Sequence, residues 1–132
     1  MLLEIDHHSG VPIYRQIIDQ IRQQIITDGL QAGDQLETVR DLAAKLKVNP
    51  MTISKAYSFL EAEGLVERKR GIGLFTAEVK KGRQAQIKTK LLNNIINKAA
   101  ITAIQLGLPE DEAVKSLKKH YKEYNSKNRR QK

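Results

Sequence analysis

The stretch from Leu36 to Thr76, LETVRDLAAKLKVNPMTISKAYSFLEAEGLVERKRGIGLFT, constrains the fold more than any other part of the chain. It opens with Thr38 as a helix N-cap and Asp41 three residues on, a variant of the capping box. A second start follows at once, with Asn49 as N-cap and Pro50 at the first helical position. Lys47-Val48 between them reads as a tight turn, and the small Ala43 and Ala44 let the next helix approach. In that helix Ile53, Ala56, Tyr57 and Leu60 form an inward stripe, which leaves Met51, Thr52, Ser54, Lys55 and Ser58 on the outward face. Gly64 ends it. Residues 65–68 and 74–76 then read as two short strands of a hairpin around Gly71 and Gly73.

The flanks complete the pattern. Ile13, Ile17, Ile21 and Ile25, widened by Tyr14 and Ile18, predict a helix over residues 11–28, with Pro12 in its first turn and Gly29 just past its end. Residues 2–5, LLEI, suggest a short strand. A longer helix over 84–106 is apolar on two sides, through Ile87, Leu91, Ile95 and Ala99, and through Leu92, Ile96, Ala100 and Ala103. Gly107 stops it. A last helix begins at Pro109-Glu110, with acidic residues at its positive end. Its Val114, Leu117, Tyr121 and Tyr124 recur at spacings of three and four, like a short coiled-coil seam. The end, residues 125–132, reads as frayed. The fold class predicted is mainly α with a small β-hairpin wing: a winged helix-turn-helix over residues 1–78, followed by a two-helix C-terminal region over 79–132. Such a winged unit presents one helix to the major groove of DNA.

Composition excludes most other chemistry. The chain has 132 residues and 40% apolar content, enough for one domain and an appendage. It has no Cys, so neither disulfides nor thiolate chemistry is expected. The start lacks a charged segment followed by an apolar run, and no apolar stretch reaches the roughly 18 residues of a membrane span, so a soluble cytoplasmic protein is expected. His7 and His8 are neighbours and would point opposite ways on a strand, and His120 is far off, so no metal ligand is assigned. No nucleophile–base pair and no phosphate-cradling glycine motif before a helix is visible, so no catalytic residue, no enzyme activity and no cofactor is expected. Charge is uneven. Residues 1–78 hold 9 Lys and Arg against 11 Asp and Glu, while residues 79–132 hold 14 against 4. Of the nine cations of the winged part, Lys55 lies on its second motif helix and three form the run Arg68-Lys69-Arg70.

Residues 11–78 resemble the DNA-binding domain of the GntR superfamily of bacterial transcription factors. The pieces that carry the resemblance are PIYRQIIDQIRQQI, GLQAGDQL, VRDLAAKLKVNPMTISKAYSFLEAEGLV and RGIGLF, in order and without gaps. The Asn49-Pro50 pair, the Lys55-Ala56-Tyr57 run and the short helical tail are similar to the YtrA subfamily in particular. The resemblance implies a homodimeric repressor of double-stranded DNA, often of a neighbouring ABC-transporter operon, with the C-terminal helices making the dimer. The tail is too short for the large effector domains or the aminotransferase-like domain of other branches. It leaves room for a small-molecule effector that no residue cluster identifies.

By position, the family's arginine before the apolar run of helix 2 falls on Arg40, its recognition-helix start on Asn49, Met51 and Thr52, and its minor-groove wing tip on Arg70-Gly71-Ile72-Gly73. With the outward positions of the same elements, the DNA-binding set is Thr38, Arg40, Asn49, Met51, Thr52, Ser54, Lys55, Arg68, Arg70, Gly71 and Gly73. The dimerisation set is Ile87, Leu91, Ile95, Leu117 and Tyr121. The chain departs from the family pattern at Glu37-Thr38, where Pro-Ser is usual, at Pro50 and Ser54, where many relatives carry arginine, and at Leu74, where threonine is common. Two other readings are a protein–protein module working through the C-terminal helices, and sequence-independent coating of nucleic acid by the basic tail.

Overall fold

The computed structural model describes residues 1–130. Seven elements follow one another: α1 (Ile13–Ile26), α2 (Val39–Leu46), α3 (Pro50–Ala62), β1 (Val66–Lys69), β2 (Gly73–Thr76), α4 (Lys81–Gln105) and α5 (Glu110–Arg130). They divide into two compact units, one from Met1 to Ile87 and one from Lys88 onward.

The first unit is built on one apolar core. Ile17, Ile18, Ile21 and Ile25 of α1 meet Leu42 and Ala43 of α2, the stripe Ile53, Ala56, Tyr57 and Leu60 of α3, and Leu65, Val66 and Leu74 of the hairpin. Each large aliphatic side chain buried there contributes about 1.5–3 kcal/mol. The inward stripe read from the sequence is therefore the face that α3 packs on α1 and α2.

The hairpin pairs Val66 with Thr76 and Lys69 with Gly73, antiparallel. The preceding loop joins it as a short third edge. Leu36 N–H donates to the Leu74 carbonyl at 2.9 Å, Gly33 N–H to that of Thr76 at 2.8 Å, and Thr76 N–H to that of Asp34 at 2.7 Å. The wing is thus hydrogen-bonded along its edge to the segment that leads into α2.

Local expectations are corrected at several places. Residues 2–5 form no strand. Among the described residues this segment has no neighbouring strand to pair with, and it is held instead by glutamines on successive turns of α1. Gln24 donates to the Leu2 carbonyl at 2.7 Å, Gln20 to that of Glu4 at 2.6 Å, and Gln16 to that of Asp6 at 2.8 Å. Helix α1 is shorter than 11–28, because Pro12 is its N-cap rather than a first-turn residue and Thr27 closes it. Asp28, not Gly29, takes the left-handed backbone there, at φ 63°. Residues 125–130, expected to fray, continue α5; the expectation for residues 131 and 132 lies outside the described residues.

Beyond the first unit, the apolar residues of α4 and α5 stay on the surface. Leu92, Ile95, Leu117 and Tyr121 are 58%, 65%, 49% and 69% exposed. Among the described residues, α4 and α5 do not pack face to face on each other. No helix among those residues is long and apolar enough to cross a membrane.

Candidate nucleic-acid interface

Two caps set the pair of motif helices. The Thr38 hydroxyl accepts the Asp41 N–H at 3.1 Å and so starts α2. The Asn49 amide oxygen accepts the Met51 N–H at 2.9 Å and starts α3, with Pro50 next in line. Between them Lys47 adopts the left-handed conformation at φ 57°, which turns the chain in two residues. The turn is therefore as tight as the sequence implied.

A third link joins the helices in space. The Tyr57 phenol donates to the Glu37 carbonyl at 2.7 Å, just ahead of the α2 cap. Burial, and secondly the Glu37 carboxylate, push the Tyr57 pKa above the ordinary phenol range. The hydroxyl thus stays a donor throughout neutral and mildly alkaline conditions. The bond fixes the start of α2, and with it Arg40, relative to α3.

On α3 Met51 is 73% exposed, Thr52 and Ser54 are half-buried, and Lys55 is exposed. These residues and Asn49 share one outward surface, with Arg40 exposed in the first turn of α2. Lys55 does not extend freely. Its Nζ lies 3.9 Å from the centroid of the Tyr14 ring, which stacks at 5.9 Å on Phe59. The guanidinium carbon of Arg15 lies 5.7 Å from the same centroid. The sequence reading placed Tyr14 only in the α1 stripe and missed this cluster. The i, i+4 spacing of Lys55 and Phe59 was the available signal.

The wing is more differentiated than its run of cations suggested. Arg68 turns back onto Glu61 of α3 at 3.3 Å, and Lys69 lies 4.5 Å over the Phe75 ring. Strand β1 ends at Lys69, so strand alternation does not extend from Arg68 to Arg70, which sits in the turn with Gly71. Among the described residues Arg70 makes no ion pair. Gly71 has φ 76° and Gly73 φ 142°, backbone that favours glycine. At Gly73 an added Cβ would also lie 2.9 Å from the Gln35 amide nitrogen, which itself donates to the Ile72 carbonyl at 3.2 Å.

Four acidic side chains of this unit, Asp19, Glu37, Glu61 and Glu63, are paired with cations of their own chain. Glu37, the departure from the family's proline, meets Lys45 at 3.2 Å, which offsets the negative charge it adds beside the α2 start. Glu63 receives a two-pronged pair from Arg22, whose other nitrogen reaches Asp19 at 3.1 Å. The Glu63 carbonyl accepts from Arg83 at 2.8 Å. Arg15, Arg40, Lys55 and Arg70 have no ion-pair partner among the described residues.

The residues named for association fall in different settings. Ile87 is half-buried against the core of its own winged unit, and Leu91 is half-buried; Ile95, Leu117 and Tyr121 are exposed. Among the described residues no group of three His, Asp or Glu is placed to hold a metal ion.

Comparison with known proteins agrees with this architecture. The profile of the bacterial regulatory proteins of the gntR family matches residues 13–76. An uncharacterised HTH-type transcriptional regulator, YhcF of Bacillus subtilis, is 39% identical over 110 residues, covering 83% of this chain and 90% of the relative. The HTH-type transcriptional repressor YtrA of the same organism is 40% identical over 101 residues, covering 73% and 78%. Among solved structures, a GntR family transcriptional regulator from Listeria monocytogenes superposes with a TM-score of 0.73 at 34% identity, over 87% of this chain and 98% of that one. YtrA from Sulfolobus acidocaldarius, a GntR-family transcription factor, does so with a TM-score of 0.57 at 34% identity, over 76% and 99%. The winged helix, its caps and these relatives together establish that the chain belongs to the gntR family of bacterial regulatory proteins, a family of transcriptional regulators and not of enzymes.

Proposed function

We propose that this chain is a homodimeric repressor that binds a near-palindromic operator in the cytoplasm, with residues 1–78 on the DNA and residues 79–132 making the dimer. The observation that carries the DNA part is the sorting of charge on the winged unit. Glu37, Glu61 and Glu63 are paired with cations of their own chain, while Arg40, Lys55 and Arg70 around α3 have no partner among the described residues. A unit with more acids than bases thereby still offers cations to a polyanion. In this reading Thr38 and Asn49 hold the helix starts at the phosphates, Arg40 and Lys55 contact the backbone, and Met51, Thr52 and Ser54 face base edges in the major groove. Arg70, Gly71 and Gly73 bring the wing to the adjacent minor groove, while Arg68 supports it through Glu61.

The dimer part rests on the apolar residues of α4 and α5, which find little cover within one chain. Exposed apolar surface of this extent is the ordinary mark of an interface. Leu91, Ile95, Leu117 and Tyr121 would be covered by a second copy, and the symmetry of that copy gives the operator its two half-sites. Control of a neighbouring transporter operon is what the resemblance of the sequence to the YtrA subfamily implies for such a repressor.

Fluorescence anisotropy of the full chain on its own upstream DNA and on a scrambled duplex, across a salt series, tests this function. Preference for the upstream DNA by about 10³-fold or more is the expected result. Equal affinity for both duplexes, with a steep salt slope, would replace sequence-specific repression with indiscriminate electrostatic binding.

A further inference from the structure

We propose that Tyr14 is a positioning residue that holds Arg15 of α1 and Lys55 of α3 on one ring as a two-cation clamp for a DNA phosphate. The proposal rests on the DNA-binding reading and extends it to α1, an element outside the helix-turn-helix pair and the wing. Lys55 Nζ stands 3.9 Å from the Tyr14 ring centroid, and the Arg15 guanidinium carbon 5.7 Å. Both distances fall within the range in which a cation is attracted to the negative face of an aromatic ring. Neither cation has a carboxylate partner among the described residues.

Two like charges held against one ring repel each other, and an anion bound by both relieves that repulsion. The ring does not use up the donors of either group. An ammonium has three N–H bonds and a guanidinium five, so each keeps hydrogen-bonding capacity toward a phosphate. The ring itself is held by stacking on Phe59 at 5.9 Å with an angle of 20° between the planes. Phe59 lies one helical turn beyond Lys55 on α3, so the helix that presents the lysine also supplies the ring on which Tyr14 stacks. Holding a long lysine side chain in place before DNA arrives removes part of the ordering cost of binding. Tyr14 therefore acts through its neighbours, and its hydroxyl makes no hydrogen bond among the described residues, so the ring alone does the work.

The test uses the full-length protein and a mixed-sequence duplex of about 30 base pairs, because a phosphate contact is independent of sequence. Anisotropy over a salt series gives the slope of log K against log salt, which becomes shallower by about 0.9 for each phosphate contact removed. Arg15→Gln and Lys55→Gln are each expected to flatten the slope by about that amount, and Arg15→Gln, at an exposed position, to leave thermal unfolding unchanged. Tyr14→Leu is expected to flatten it by one to two such steps, whereas Tyr14→Phe keeps the parent slope. Adding Lys55→Gln to Tyr14→Leu is expected to change little further. Parent-like slopes for Arg15→Gln and Lys55→Gln, or the same slope for Tyr14→Leu and Tyr14→Phe, would overturn the clamp while leaving DNA binding intact. Absence of binding by the parent to this duplex and to its upstream DNA would instead overturn the DNA-binding reading, and the clamp with it.

Discussion

Tyr57 and Glu37 are joined by a 2.7 Å hydrogen bond from a buried phenol to a main-chain carbonyl, across twenty residues of sequence. The bond ties the middle of α3 to the residue that precedes the α2 cap. In this DNA-binding regulator it sets the relation between the two helices of the motif. Tyr57→Phe keeps the ring in the core and leaves the Glu37 carbonyl without its donor. A loss of about 1–2 kcal/mol is expected, the usual penalty for orphaning a buried polar group. Urea unfolding of the two proteins measures it, and an unchanged midpoint would show that solvent replaces the donor at no cost.

The same phenol gives a pH dependence with a definite sign. Its folded pKa is raised by burial and then by the Glu37 carboxylate, while the unfolded value is near 10. Below about pH 10 both states hold the proton and the full stability is present. Above it the unfolded chain loses the proton and the folded protein does not, so stability falls, by up to about 1.4 kcal/mol per pH unit from this group. Tyr57→Phe lacks this titrating group. The gap in urea midpoint between parent and variant is therefore expected to shrink from pH 9 to pH 11.5. A constant gap would mean that the buried phenol titrates like a free one.

Thr76 carries a different buried hydroxyl. It is 1% exposed, and among the described residues its Oγ1 finds no hydrogen-bond partner. Thr76→Val replaces that hydroxyl with a methyl of similar size on a strand, where valine is favoured. A gain of about 1 kcal/mol is expected in thermal or urea unfolding, since an unsatisfied buried group is removed. Destabilisation of similar size would reveal a partner for Oγ1 in solution.

Backbone and base contacts are separable by mutation. Arg40→Ala is expected to weaken operator and random DNA alike and to flatten the salt slope by about 0.9. Thr52→Ala, at a half-buried position in the first turn of α3, is expected to alter preference among operator variants by about 1–3 kcal/mol, with little change on random DNA. Equal losses on both DNAs for both variants would remove this division of labour.

Association is tested on the exposed apolar positions of α4 and α5. Ile95→Glu and Leu117→Glu place a charge where a second copy would otherwise exclude water. Sedimentation of the parent as a dimer, with each variant shifted toward monomer, is the expected outcome. Both residues are exposed in the single chain, so the unfolding of the winged unit is expected to stay unchanged. A monomeric parent, or dimers unaffected by both substitutions, would place the dimer contact elsewhere or remove it.

By itself the sequence determined the local events of this protein. The caps at Thr38 and Asn49, the proline after the second, and the inward stripe from Ile53 to Leu60 depend on neighbours within a few residues, and all stand where the local pattern put them. The hairpin was legible for the same reason, through Gly71 and Gly73 between two short apolar runs. Only the tertiary structure decided which charges stay available. Arg68 and Arg70 look alike in the sequence, yet one turns back onto Glu61 and the other sits in the wing turn. Glu37 adds a negative charge beside the start of α2, and only the fold brings Lys45 within 3.2 Å of it. The placement of Lys55 over Tyr14, the loop edge added to the wing at residues 33–36, and the glutamine ladder in place of a strand at residues 2–5 likewise join parts distant in the chain. Helical and strand periods record which face a residue is on. They do not record what stands opposite that face, because the partner is chosen by packing among whole elements.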